Sequence, residues 1–327
     1  MPRARRRRRP LLPLLLQLAN SRGRTFNATA WLERSKRELT RTQLLPTGRW
    51  VRYQDAGTSV LVQIGANNHE QSSSFDPGPI CVKRGWRSVL IEPVPQIFAA
   101  LQRHYKNATA ARVQLLNAAV CAPTAGSEPS GSCKSQRSQR IWYIDTTNAT
   151  GNYGTNHSDA RCILNSGLYG FLTEIASLRK ATVLQNNRLL QHSRSSERRC
   201  AACSAALGRP LPGDCVRDMI NANLRSHDAR CLCLAEELKL QANTHNPLKS
   251  ERSVTLLAID AEGFDLEILR QWPFDVLPTA RVSFEAAHLS DANFEAAAAL
   301  LEGKGFRFVS GGYGAYLSEW QHVKYGT

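Results

Sequence analysis

The chain has 327 residues, 42% of them hydrophobic, enough for one large or two small domains with a substantial core. Its formal charge of +15 invites a nucleic-acid reading, but residues 1–41 hold twelve of the 42 Lys and Arg against two of the 27 Asp and Glu. The remaining body has 30 basic and 25 acidic residues, too even a balance for a polyanion binder, so no nucleic-acid partner is expected.

The chain opens MPRARRRRRP and runs into LLPLLLQLAN. A basic n-region, a short leucine core and the small residues Ala19 and Ser21 outline a secretory signal. The core is too short for a bilayer span, which needs about 20 apolar residues, so membrane contact is expected only through this leader. An Arg-rich, acid-poor start also suits an organelle transit peptide, and a disordered basic arm is a third reading. Asn27, Asn107, Asn148 and Asn156 each begin an N-glycosylation triplet. The expectation is the secretory pathway, as a resident of the endoplasmic reticulum or Golgi lumen or as a secreted protein, with an organelle as the alternative. Residues 1–50 are read as leader and adaptor, and 51–327 as one domain with an insertion at about 124–250.

The domain begins at Ser59. Val60–Ile64 is an apolar run that breaks into a turn at Gly65, Ala66 and Asn67. Gly65 lets the backbone approach a ligand closely, and a following residue is expected to need a left-handed conformation. A polar, Ser-rich loop ends at Asp76-Pro77-Gly78-Pro79, and a short helix through Ile80 and Val82 stops at Gly85. A second strand, 88–91, ends on Glu92 and Pro93. Ile97, Phe98, Leu101 and Tyr105 then mark an amphipathic helix. A third strand, Val113–Leu116, ends at Asn117 and Ala118. This β-α-β-α-β series implies a parallel sheet with right-handed crossovers.

Residues 124–250 carry less signal. Residues 124–140 are rich in Ser, Gly and Gln and read as an exposed loop. Residues 141–144 read as a strand at the far side of the sheet, and 172–190 has helical spacing. The nine cysteines leave at least one thiol unpaired within a monomer. Cys200, Cys203, Cys215, Cys231 and Cys233 fit disulfides, reduced buried thiols or zinc ligands. Zinc ranks last, because only Cys200 and Cys203 have knuckle spacing, and no metal is expected.

The stretch VTLLAIDAEGFDLEIL, 254–269, is the centre of the chain. A buried apolar strand, Val254–Ile259, stops at Asp260-Ala261-Glu262-Gly263, and Phe264, Leu266, Ile268 and Leu269 recur at helical spacing. Carboxylates at the carboxyl end of a buried parallel strand lie where open α/β sheets bind ligands. The bland alternative makes Asp260 the helix cap and places Glu262 at its positive end; function is favoured for Asp260 and evenly weighed for Glu262. A strand at 281–284 follows, ending on Glu285 and leading to His288. A helix then closes at Gly303 and Gly305, and two strands, 306–309 and 315–317, make a final hairpin.

Glu92 ends the second strand, where Rossmann-like units place the acid that accepts both ribose hydroxyls of a nucleoside cofactor. The G-x-G-x-x-G fingerprint and the P-loop are both absent, which disfavours a pyrophosphate-bearing cofactor. A nucleoside without phosphates, such as S-adenosylmethionine, fits what remains.

Together VQIGANN, Asp76-Pro77, Gly85-Trp86, LIEPVPQIF, LQRHY and NAAV resemble the N-terminal half of the FkbM-type methyltransferases. LLAIDAEGFDLEIL, VSFEAAHLS and Gly305-Phe306 are similar to that family's second half. The resemblance implies a class I, S-adenosylmethionine-dependent fold, a Rossmann-like, mostly parallel seven-stranded mixed sheet between helices. It places Gly65, Ala66 and Asn67 at the methionine end of the cofactor, Glu92 at the ribose, Asn117 and Ala118 near adenine, and Asp260 facing the transferred methyl. Two positions depart from the pattern. Gln63 replaces a common acid, and Asn68-His69 replaces Asp-Gly. The implied activity is O-methylation of a sugar or other small hydroxylated acceptor, with Asp260, Glu285 or His288 as the base. The rival expectation is a non-catalytic binding or interaction module of the same fold.

Overall fold

Seven strands build the larger of two sheets in the computed structural model, which describes residues 57–69, 76–108, 112–120, 138–145, 157–165, 176–178, 180–185, 193–234, 253–310 and 317–324, with Gln54 and Glu237. Strand β1 (Val60–Ile64) is central and pairs in parallel with β2 (Arg87–Ile91) on one side and β8 (Val254–Ile259) on the other. Beyond them lie β3 (Val113–Leu116) and β9 (Thr279–Glu285), also parallel. Next to β9 runs β11 (Leu317–His322), antiparallel, with β10 (Phe306–Ser310) at the edge.

Every residue of β1 is buried, and its side chains alternate between two apolar layers. Val60, Val62 and Ile64 pack with Val89, Ile91, Leu257 and Ile259, while Leu61 packs with Leu90 and Leu256. Both layers are covered by helices. On the Leu61 side lie α1 (Pro77–Lys83) and α2 (Pro95–His104), contributing Cys81 and Leu101. On the other side lie α7 (Asp265–Gln271) and α8 (Asp291–Gly303), contributing Leu266, Leu269, Phe294 and Leu301. A strand covered on both faces favours apolar side chains throughout, which is why β1 and β8 read as nearly continuous hydrophobic runs, interrupted at Gln63 and Thr255. Each such Val, Leu or Ile contributes about 1.5–3 kcal/mol on burial.

The smaller sheet has the order β4 (Ala119–Val120), β7 (Leu224–Leu232), β5 (Ser138–Ile144), β6 (Ala176–Ser177). Helices α3 (His157–Ile163), α4 (Lys180–Gln185), α5 (Ser193–Leu207) and α6 (Cys215–Asn223) belong to the same insertion. The strand expected at 141–144 is therefore not at the far side of the main sheet. It begins at Ser138 and pairs antiparallel with β7, from Ser138↔Arg230 to Ile144↔Leu224. The polar stretch expected to be loop up to Arg140 is strand from 138 onward, and the rest of 124–137 lies outside the described residues. Of the helix expected over 172–190, the described part holds α4 alone, after the strand β6, whose pairing with Trp142 and Tyr143 overrides helical spacing. Residues 172–175 and 186–190 lie outside the described residues, as does the leader.

The insertion docks beside the carboxyl ends of β2 and β3. Val120, Leu232 and Leu234 enter the main core, and Val94 and Ile97 pack against Ala119, Ile141 and Ala229. Its helices are joined by the disulfides Cys162–Cys203 and Cys200–Cys215, and Cys231 and Cys233 are disulfide-bonded as well. Cys200 and Cys203 are three residues apart on α5 and share a face, yet each pairs outward to a different helix. That removes both the zinc knuckle and the reduced-thiol alternative for these positions. Cys81 is the free thiol among the described residues, buried in the core, where burial pushes its pKa up and keeps it protonated. No helix among the described residues is long and apolar enough to cross a membrane.

Candidate functional site

The strand order reverses between β1 and β8: the chain leaves β1 towards β2 and later returns to add β8 and β9 on the opposite side. The crevice outside the carboxyl ends of these strands is the topological switch point, where doubly wound sheets bind ligands. Gly65 opens it with a φ of 78°. A Cβ there would lie 1.9 Å from the Asp260 carbonyl oxygen, so only glycine lets the two strand tips come this close. The Gly65 and Ala66 amides both donate to the Ile91 carbonyl, at 2.9 and 3.0 Å, which fixes the turn onto the tip of β2.

Asn67 follows in the left-handed region, with a φ of 53°, and its amide donates to Glu92 Oε2 at 3.0 Å. The Val94 amide donates to Glu92 Oε1 at 2.8 Å. Glu92 is buried, and burial pushes its carboxyl up to about 7 despite these two bonds, with the nearby Asp260 charge adding to the rise. Asn117 Nδ2 donates to the Glu92 and Pro93 carbonyls, at 2.8 and 3.3 Å, and ties the end of β3 to that of β2. Ala118 is fully buried in the apolar core, so the turn it was expected to offer a ligand is covered at this residue.

The acidic half is built from the tips of β8 and β9. Asp260 is half-buried, and its amide donates to the Ile64 carbonyl at 2.9 Å. It does not cap a helix: α7 starts five residues later, with Phe264 at the N-cap and no side-chain cap bond. Glu262 has a φ of 51°, and Gly263 follows at 90°. A Cβ on Gly263 would stand 3.1 Å from the His288 carbonyl oxygen, so the turn lies tight against the segment after β9. Asp265 is fully buried; its Oδ1 accepts from the Glu285 amide at 3.2 Å and its Oδ2 from the Gly263 amide at 3.3 Å. Burial, then the charge of Asp260, raises Asp265 to about 8.

Glu285 is 1% exposed, and burial together with Asp260, Glu262 and Asp265 drives its pKa strongly upward. The Asp260 and Glu285 carboxylates are within hydrogen-bond reach, a contact that needs a proton between them. His288 Nε2 lies 3.1 Å from Glu262 Oε2 and 3.3 Å from Glu285 Oε1. Above this turn sits the insertion, where Ser177 Oγ of β6 donates to the Glu262 carbonyl at 3.3 Å.

A second polar cluster lies on the α1 side of β1. Gln63 Nε2 donates to Asp76 Oδ1 at 2.9 Å, and the Gly78 amide donates to the same oxygen at the start of α1. His69 Nε2 approaches Asp76 Oδ2 at 3.4 Å, and its Nδ1 contacts the Tyr105 hydroxyl. The spacing resembles an ion pair, but burial outweighs attraction: it lowers His69 to about 3 and raises Asp76 to about 6. At neutral pH the imidazole is therefore uncharged. His69 has a φ of 57°, so it takes up the left-handed conformation for which a glycine is the usual residue.

No family model matches the chain, and no curated protein does. What the site can do rests on its own groups. The expected residues Gly65, Ala66, Asn67, Glu92, Asn117, Asp260, Glu285 and His288 all lie at the carboxyl ends of the parallel strands or in the turns just beyond. Glu262, evenly weighed from the sequence, joins them, and the structure adds Asp265. Glu262 turns to His288 rather than serving the helix end. Asp265 had one local signal, an acid in the first turn of an apolar helix, but its bond to the Glu285 amide spans 20 residues and leaves no trace in sequence spacing. The site gathers carboxyl groups from three strand ends, at Glu92, Asp260 and Glu285, with His288 beside them.

Proposed function

We propose that the chain is an S-adenosylmethionine-dependent methyltransferase that O-methylates a hydroxyl of a sugar or other small acceptor, working in the secretory pathway. The observation that carries this reading is the convergence of Gly65, Glu92 and Asp260 on the switch point of a doubly wound, seven-stranded mixed sheet. The site's residues fit the cofactor. Gly65, having no Cβ, lets the tips of β1 and β8 meet at the crevice, and each Glu92 oxygen accepts one amide bond, leaving lone pairs for ribose hydroxyls. The Gly65–Asn67 turn would hold the methionine end and the Asn117-Ala118 turn the adenine. When bound, the cofactor supplies a methyl group already activated by its sulfonium. Asp260 would align the acceptor hydroxyl and take its proton, with Glu285 or His288 as the neighbouring groups able to pass it on. The insertion, bonded to the turn through Ser177, helps exclude water. Three disulfide-bearing helices support an oxidising compartment. One observation favours the rival binding module: the Gln63 amide is spent on Asp76 and offers no charge to a methionyl amine.

Calorimetric titration of the purified protein with S-adenosylmethionine tests the reading. Wild type is expected to bind, and Glu92→Ala to bind more weakly by about 1–3 kcal/mol, the range for losing hydrogen bonds to a charged group. With a glycan acceptor in hand, Asp260→Asn is expected to slow transfer by about 10²–10⁴-fold at little cost in cofactor affinity. No binding by a folded wild type overturns the proposal; binding without transfer to any hydroxylated acceptor leaves the binding module.

A further inference from the structure

We propose that Glu262, Glu285 and His288 form a binding site for a divalent cation of the manganese class. One ligand atom from each, two carboxylate oxygens and an imidazole nitrogen, lie within 4.8 Å of one another. His288 Nε2 stands 3.1 and 3.3 Å from the two oxygens, the separation of neighbouring ligands around an ion bound at about 2.1 Å from each. A second observation points to a missing ligand. Glu285 is 1% exposed, and no N–H or hydroxyl group among the described residues donates to its Oε2. A buried carboxylate oxygen without a donor is costly, and its neighbours Asp260 and Glu262 are carboxyl groups too. A dication there would take the place of the proton that the Asp260–Glu285 contact otherwise demands.

The donor set selects the metal class. Two carboxylates against one imidazole place the set nearer to manganese and magnesium than to zinc or copper, and manganese accepts an imidazole nitrogen more readily than magnesium does. The backbone holds the ligands in place. Glu262 is set by its left-handed turn, Glu285 by the Asp265 bond to its amide, and His288 by the close approach of Gly263. Three protein ligands leave further positions open to oxygen donors. Glu262 and His288 are partly exposed, so those positions face the crevice. The site stands on these residues alone and does not require the methyltransferase reading.

The test is a titration of the chelator-treated full chain with Mn²⁺, followed by electron paramagnetic resonance of free Mn²⁺ and by calorimetry, with no cofactor or acceptor present. One ion per chain is expected, with affinity reduced at least tenfold in both Glu262→Gln and His288→Gln. Because Glu285→Gln disturbs a buried position, it is read only alongside its circular dichroism spectrum. Absence of stoichiometric Mn²⁺ binding by wild type overturns the proposal, and so does undiminished binding by both Glu262→Gln and His288→Gln. Mn²⁺ binding in a protein that fails to bind S-adenosylmethionine upholds the cation site and rejects the proposed function; cofactor binding without Mn²⁺ does the reverse.

Discussion

At Glu92 two amide bonds favour the charged carboxylate while burial and Asp260 oppose it, and the opposition prevails. The folded carboxyl titrates near 7 against 4.5 when unexposed to these effects, so between those values the folded chain binds more protons than the unfolded one. Stability from this group therefore falls as pH rises through that window. Asp76 acts with the same sign between 3.8 and about 6. His69, lowered from 6.5 to about 3, acts with the opposite sign: the unfolded imidazole takes up protons that the folded one refuses, so its contribution improves up to pH 6.5. The two trends offset each other below pH 6.5; above it His69 no longer opposes, and Glu92 up to about 7 and Asp265, raised from 3.8 to about 8, both lower stability as pH rises. Denaturant midpoints are expected to fall between pH 6.5 and 7.5, and to fall less steeply in Glu92→Gln, which keeps an acceptor for one amide. Parallel curves for the two proteins would show that Glu92 does not carry the effect.

Helix α5 illustrates how an element can be secured from outside its own sequence. Leu207 is its one large apolar residue, yet Cys203 joins it to α3 across 41 residues and Cys200 joins it to α6 across 15. Loop-closure entropy assigns these links about 4 and 3 kcal/mol, as upper values because the two loops overlap. The Cys200→Ser, Cys215→Ser double variant is expected to lose up to about 3 kcal/mol in urea unfolding, and an unchanged midpoint would mean that apolar packing of Val216, Met219 and Ile220 suffices. The same contrast explains what the sequence disclosed. Strands β1, β2 and β8 were legible because burial on both faces favours nearly continuous apolar runs. In β7, Leu224–Leu232, only Ala229 and Leu232 are buried, so Arg225, His227 and Asp228 conceal the strand. The acids at strand tips were legible as Asp260, Glu92 and Glu285; the links among them depend on contacts distant in sequence, and were not.

For the whole molecule, the proposed secretory route makes a claim about the surface. Asn107 lies exposed in the turn after α2, where a glycan would meet no packed element. Protein from cells that secrete it is expected to shift on glycosidase treatment, and Asn107→Gln to lose one step of that shift; an unglycosylated protein in an organelle fraction would favour the transit-peptide reading instead. The sheet also has a history during synthesis. The Val60 amide donates to Thr255 Oγ1, a partner 195 positions further along. At about 5–20 residues per second, the ribosome needs roughly 10–40 s to deliver that partner after β1 has emerged. Throughout this interval, one side of a fully buried strand offers unsatisfied amides and carbonyls to any passing strand. Until β8 arrives, that edge is the part of the nascent chain most open to mispairing, and a chaperone that covers it would suppress such pairing.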